Sequence, residues 1–470
     1  MNTTVRPNVV LAICCMSLLV VSMDATIVNV ALPAIRKDLG AETSGLQWII
    51  DAYTMVVASL LMFSGSLADR VGRRRTFQIG LTLFTLASAA CSLAPTLGAL
   101  IAFRALQAVG ASMLNPVAMS IITNTFIDPK ARARAIGVWG AVVGVSMALG
   151  PLIGGGLTQA TGWRAIFWIN LPIGVAAIAL AQRFVPESKA PHARRFDPIG
   201  QLLVLVALAS LTYAVIEGPR RGWSSPLIEA LFATCVGAVV GILVVEPRRE
   251  EPVLDLRFFR SVPFASATAI AVCMFGAFSG FLFLNALYLQ EVRHLSPFVT
   301  GLYTLPLALA TIACSPISGR LVGRYGTLPS LVGAGTSVAA SGLMLSRLGD
   351  ATPLPYLVAA YILFGIGFGL VNAPITNTAV SGMPRARAGL AAAVASTSRQ
   401  VGASLGVAIG GTIAVSRAAG TSFAGATQTF WWLVVLAGAI VVVLGALSNG
   451  PWARRTLART VALFDEGAPA

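Results

Sequence analysis

The dominant constraint in this sequence is a stretch of apolar residues that recurs, separated by short basic connections, from residue 9 to the end of the chain. A bilayer core of about 30 Å takes roughly 20 apolar residues as a helix. Fourteen stretches fit that length, the first at Val9–Leu32 and the last at Phe430–Leu447. In lipid each segment must satisfy its own backbone N–H and C=O groups, so the stretches predict helices. Only 11% of residues are charged, where a soluble domain carries about a quarter. The expected fold class is an all-α polytopic membrane protein, and the even number of spans puts both termini on one side.

The charges say which side. Of the 33 Lys and Arg, 23 fall in the N-terminal segment, the alternate connections on its side and the C-terminal tail; eight fall in the opposite connections. That bias predicts cytoplasmic termini, and with it a bacterial inner-membrane location. It also accounts for the net charge of +15 without a nucleic-acid partner. Cys14, Cys15, Cys91, Cys235, Cys273 and Cys314 lie in or beside apolar stretches with no CxxC or metal-ligand spacing, so neither a disulfide framework nor a metal is expected. The first stretch contains Asp24 and is read as a helix, not a removable leader.

The chain repeats itself. Gly65-Ser-Leu-Ala-Asp-Arg-Val-Gly72 is answered by Gly319-Arg-Leu-Val-Gly-Arg-Tyr-Gly326. Asn115-Pro116 with Thr123-Asn124-Thr125 is answered by Asn372-Ala-Pro374 with Thr376-Asn377-Thr378. Each set is followed by an Arg-Ala-Arg-Ala segment, at 132–135 and 385–388, read as a turn. Two six-helix bundles leave two stretches over, Ile199–Ile216 and Leu227–Val245. The expected layout is a first bundle over 1–185, a linker with the extra pair over 186–260, a second bundle over 261–450 and a tail over 451–470. Parallel repeats with a midplane site at their interface are a transporter architecture.

Within the stretches, polar residues stand out. Asp24 lies roughly 13 Å below the outer end of its helix by helical rise, where an unpaired carboxylate costs several kcal/mol. Arg104, at a similar depth in the fourth stretch, is its natural partner, able to release the acid's proton as geometry changes; Gln107 is placed to relay between them. A structural Asp and an Arg acting only as glue between helices are the plain alternatives. Asp51 is expected near the outer mouth of the second stretch beside Trp48 and Tyr53, where charge and ring faces suit a cation, although interfacial aromatics are ordinary.

Between the second and third stretches, Gly65, Asp69, Arg70, Gly72 and Arg73 mark a tight loop, with Arg74 and Arg75 completing its basic end. Asp69 is expected to accept from a helix N-terminus in the other half, a contact that would break on rocking. Late in the fifth stretch, Gly150, Pro151, Gly154 and Gly155 predict a bent helix closely approached by another. The chain has no Gly-x-x-x-x-Gly-Lys phosphate loop, and its two histidines, His192 and His294, carry no metal or nucleophile pattern, so an enzyme is not expected.

In order along the chain, Met23-Asp24-Ala-Thr26-Ile-Val-Asn29-Val-Ala31-Leu32-Pro33 resembles the first-helix signature of the fourteen-span drug:proton antiporter family of the major facilitator superfamily. Gly65 to Arg74 is similar to the superfamily's loop between helices two and three, and Arg104-Ala-Leu-Gln107 with Gly110 to its fourth-helix motif. Gly150-Pro151 with Gly154-Gly155 is similar to the fifth-helix motif of exporters. Trp163-Arg164, Phe167, Asn170-Leu-Pro172, and Arg399-Gln400 with Gly402 continue the pattern. Ala108 and Ser146 depart from it, each standing where the family has Gly.

The resemblance implies a major facilitator fold, two six-helix bundles plus two central helices. It implies a proton-coupled exporter of drugs, antibiotics or other amphipathic molecules, cationic ones among them, working as a monomer without a cofactor. Asp24, Arg104 and Gln107 would couple protons, and Asp51 and Tyr53 would stand at the mouth. Asn29, Asn115, Phe281, Asn285, Tyr288 and Arg399 would line the substrate cavity. An uptake carrier for a small metabolite or a non-transporting membrane sensor or scaffold remains open on the residues alone. Polyspecific sites carry no readable substrate code.

Overall fold

The computed structural model describes residues 6–189, 197–249, 251–252, 254–349, 351–381, 383, 385–416 and 422–465. Part of the predicted linker, 190–196, lies outside them. The described residues are helical almost throughout and contain no strand. In chain order the helices are α1 (Pro7–Leu39), α2 (Thr43–Val71), α3 (Arg73–Ser92), α4 (Leu97–Thr125), α5 (Pro129–Thr161), α6 (Ala165–Trp168), α7 (Asn170–Phe184), α8 (Pro198–Arg221) and α9 (Pro226–Val245). Then follow α10 (Val262–Leu287), α11 (Pro297–Tyr325), α12 (Thr327–Leu345), α13 (Leu354–Val380), α14 (Arg385–Ser416), α15 (Phe423–Asn449) and α16 (Pro451–Asp465). Among the described residues, 12 helices are long and apolar enough to cross a membrane. The other two predicted stretches, Phe77–Leu93 and Leu390–Val415, fall on α3 and α14. Arginines and many Thr, Ser, Gly and Ala residues dilute the hydropathy of those two helices.

Local chemistry sets the breaks. Asp128 caps α5 by accepting from the Ala131 N–H at 2.7 Å, with Pro129 in the first turn where no N–H is missed. The helix therefore starts before Arg132, and the segment 132–135, read from sequence as a turn, is helical; 385–388 likewise opens α14. The stretch predicted over 166–184 divides into α6 and α7 around Ile169. Pro172 has no N–H to give the carbonyl four residues back, at Trp168. The loop predicted from Gly65 to Arg75 is shorter than expected: α2 runs on to Val71, α3 starts at Arg73, and Gly72 alone lies between them. Gly72 makes the break at φ 120°, a backbone that side-chain-bearing residues rarely adopt.

The chain forms two compact units. One comprises Met1–Asp197 with Leu289–Leu305, the other Pro198–Tyr288 with Pro306–Ala470. In the first, α4 is flanked by α2 and α3, while α1 lies on α4 and α5, and α7 on α3. In the second, α10 packs on α13, α14 and α15, α12 on α13 and α15, and α8 on α9 and α14. The α10–α14 seam closes through small residues, the Gly406 Cα face meeting the Gly276 backbone.

Candidate functional site

Asp24 sits inside the first unit with no exposure to solvent, and four helices supply its environment. Arg104 of α4 donates from Nη1 to Asp24 Oδ2 at 2.5 Å. Gln107, three residues on and so on the same helix face, donates from Nε2 to Oδ1 at 2.9 Å. Asn170, the first residue of α7, donates from Nδ2 to the same oxygen at 3.0 Å. Asn170 Nδ2 also donates to Ser88 Oγ of α3 at 3.0 Å, and that hydroxyl donates to the Phe167 carbonyl at 2.9 Å.

Arg104 is as fully provided for. Its Nη1 also donates to Gln107 Oε1 at 2.8 Å and its Nε to the Ile49 carbonyl of α2 at 3.3 Å. The guanidinium carbon lies 4.3 Å from the Tyr53 ring centroid and 5.9 Å from that of Phe167. Bringing two charges out of water is repaid only when further hydrogen bonds complete each of them, and here they do.

The structure thus brings together Asp24, Arg104, Gln107 and Tyr53. Asp51 and Tyr53 are both buried in this conformation. Asp51 Oδ1 accepts from Thr54 Oγ1 at 3.4 Å, and the Tyr53 ring is covered by Arg104. Asn170 and Ser88 were not among the predicted site residues. An Asn inside an apolar stretch was the available signal for the first; Ser88 gave none.

The basic connection also closes within the first unit. Asp69 Oδ1 accepts from Arg73 Nη2 at 3.1 Å, one helical turn away. Glu187, after α7, accepts from the Arg74 backbone N–H at 3.1 Å and lies 3.8 Å from Arg75 Nε. A Cβ on Gly72 would meet that carboxylate, at 2.6 Å from Oε1. Gly65 has open space around it, and Arg70 is exposed. Glu187 is a member of this cluster that the sequence reading did not name.

The glycines of α5 seat α1. The Gly150 face meets Thr26 and the Met23 carbonyl, and the Gly154 face meets Ile27, so α5 packs on the turn of α1 that carries Asp24. Gly155 faces the Pro297 carbonyl, and Gly301 faces the Pro151 carbonyl, so the start of α11 lies on the same segment. Gly155→Val is therefore expected to cost about 1–3 kcal/mol or more, because the obstacle is backbone. Thermal unfolding of the purified protein checks this, with Gly98→Ala, where nothing lies within 4 Å, expected near neutral.

Of the residues expected to line a cavity, Asn29 is buried and donates to the Ala25 carbonyl at 3.3 Å, and Asn115 is half-buried; the side-chain oxygen of each has no hydrogen-bond donor. Phe281 is fully buried in the second unit against Tyr361, Phe364 and Trp431. Asn285 accepts from the Tyr361 hydroxyl, and the Tyr288 hydroxyl donates to the Gly349 carbonyl at 2.7 Å. All three are buried, and Asn285 Nδ2 has no acceptor among the described residues. Arg399 alone of the six carries a charge.

A model of the Major Facilitator Superfamily matches residues 14–407. The chain belongs to that superfamily. It is accordingly a multi-pass membrane transporter and not an enzyme. Among its relatives is the multidrug resistance protein Stp of Mycobacterium tuberculosis (strain CDC 1551 / Oshkosh), 38% identical over 399 residues, covering 85% of this chain and 74% of that protein. The tetracenomycin C resistance and export protein of Streptomyces glaucescens is 36% identical over 413 residues, covering 88% and 77%. The fold is similar to the crystal structure of the human organic anion transporter MFSD10, with a TM-score of 0.63 at 17% identity, covering 93% of this chain and 99% of that one.

Proposed function

We propose that this superfamily member is a proton-coupled exporter of drugs, antibiotics or related amphipathic molecules, working by alternating access as a monomer in a bacterial inner membrane. The observation that carries the reading is the fully buried Asp24–Arg104 pair with Gln107 and Asn170 completing it. An intramembrane acid that costs this much to hold is a functional group by default. Asp24 takes a proton when Arg104 withdraws and gives it up when the guanidinium returns, because a cation beside a carboxylate favours the charged form. Gln107, bonded to both, passes between the two arrangements. Asp51 assists from the outer side, and the Asp69–Arg73 connection helps to hold one state. Relatives named for resistance and export support the direction of transport.

The accompanying topology is part of the proposal: fourteen spans with both termini cytoplasmic, a first bundle over 1–185, a linker with two further spans over 186–260, a second bundle over 261–450 and a tail over 451–470. The deciding experiment is reconstitution into liposomes with an imposed pH gradient. Addition of a transported dye should dissipate the gradient only where the protein is present. Uptake driven by substrate gradient alone, with no proton movement, would replace the exporter reading with that of a facilitative or uptake carrier.

A further inference from the structure

Two arginines stand well inside predicted spans, one in each unit, and the chain provides for them differently. Arg104 has a carboxylate, an amide and a carbonyl. Arg399, near the middle of α14, has one hydrogen bond, from Nη2 to Thr376 Oγ1 of α13 at 2.6 Å. Its guanidinium carbon lies 5.7 Å from the Phe275 ring centroid of α10, and its Nε is buried with no acceptor. No carboxylate pairs with it among the described residues. Helices α10 to α15 contain no Asp or Glu, and of the acids elsewhere in the unit Glu217 of α8 pairs with Arg220 and Asp255 with Arg257. From Arg293 to Phe464 the sequence holds a single acid, Asp350, which falls by number between α12 and α13.

A charge at such a place is costly unless it is hydrated or meets an anion. Arg399 has five N–H donors, and among the described residues its one hydrogen bond, to Thr376, leaves most of them unspent. The surroundings are those of a partly open site. Thr376 and Asn377 are exposed, and Phe275 is half-buried. Phe275 is also the accessible end of an aromatic ladder. Its centroid lies 5.1 Å from that of Phe368, which stacks at 4.1 Å on Phe278. A cation with free donors beside a ring wall fits a ligand that pairs a carboxylate or phenolate with a planar apolar body.

We propose that Arg399 is the anion-recognition residue of the substrate site, and that the transported class is amphipathic aromatic acids and not the cations that an acid in a transporter first suggests. This deepens the exporter reading and rests on it. In unit two Arg399 is a charge near the middle of a long helix with no carboxylate partner among the described residues, and in unit one Asp24 is already paired with Arg104.

The test is equilibrium binding by the purified full-length chain, read as fluorescence anisotropy, with fluorescein and the cationic rhodamine 123, which share a xanthene frame. Wild-type protein should bind fluorescein, and Arg399→Gln should weaken that binding at least tenfold, about 1.4 kcal/mol. Arg399→Lys should retain part of it, and rhodamine binding should not respond to either change. A second measurement needs no variant: an uncharged ester-ether of fluorescein should not compete on the wild type. Absence of fluorescein binding, equal binding by folded Arg399→Gln, or full competition by the uncharged derivative each overturns the proposal. Binding does not require coupling, so a chain that binds fluorescein through Arg399 but moves no protons sinks the exporter reading and leaves this assignment standing.

Discussion

Asp24→Asn is expected to abolish proton-driven transport, reducing gradient-dependent dye movement to the level of protein-free liposomes. Asparagine keeps the size of the side chain and removes the site that alternates between charged and neutral. Its amide still offers one oxygen to Arg104, so the local shape is largely kept. The nitrogen would then face Gln107 and Asn170, two donors that now need an acceptor. Measurement should therefore separate coupling from folding: proton movement on dye addition is lost, while binding of the same dye by the purified variant persists. An Asp24→Asn protein that still dissipates the pH gradient at the wild-type rate would remove Asp24 from the coupling role. Loss of dye binding together with transport would instead assign Asp24 to structure.

Much of this site was legible in the sequence because depth along a helix is nearly arithmetic. With 1.5 Å per residue and charge bias to orient the spans, Asp24 and Arg104 come to one level before any packing is known. The structure joins them. What was not legible depends on how helices are turned against one another. Asn170 reaches Asp24 from the first residue of α7, next to the break at Ile169. Ser88 orients Asn170 from another helix, and a serine in α3 carries no mark of that duty. Asp51 and Tyr53 looked like mouth residues because aromatic residues near a span's end usually are. What the sequence does not carry is that the Arg104 guanidinium lies over the Tyr53 ring, 4.3 Å from its centroid. Phe281 was expected at a cavity for its aromatic character, which serves equally well to fill the interior of the second unit. The short basic connection was placed correctly, yet its length was overestimated, since a single glycine at φ 120° suffices to turn the chain. Glu187, which gathers Arg74 and Arg75, lies over 110 residues further along and has no sequence signal that ties it to them.

Arg104→Gln is expected to lower stability by about 3–5 kcal/mol, more than any other single change at this site, because it leaves Asp24 buried without its countercharge. The glutamine can still offer hydrogen bonds, so the loss reports charge and not the mere absence of a donor. The double variant Asp24→Asn/Arg104→Gln removes both charges and should recover most of that loss. The recovery is a coupling between neighbours that share one network, the situation in which mutational effects fail to add. It also divides the two duties of the pair. Thermal unfolding of the purified double variant should approach the wild type, whereas its proton-driven transport should remain at the level of protein-free liposomes. If the single and double variants were equally unstable, the pair would contribute through packing alone, as Arg104 fills the space between the Tyr53 and Phe167 rings. If the double variant were stable and still coupled, proton exchange would have to run through another acid, and Asp51 is the one buried carboxylate of α2 available for that duty.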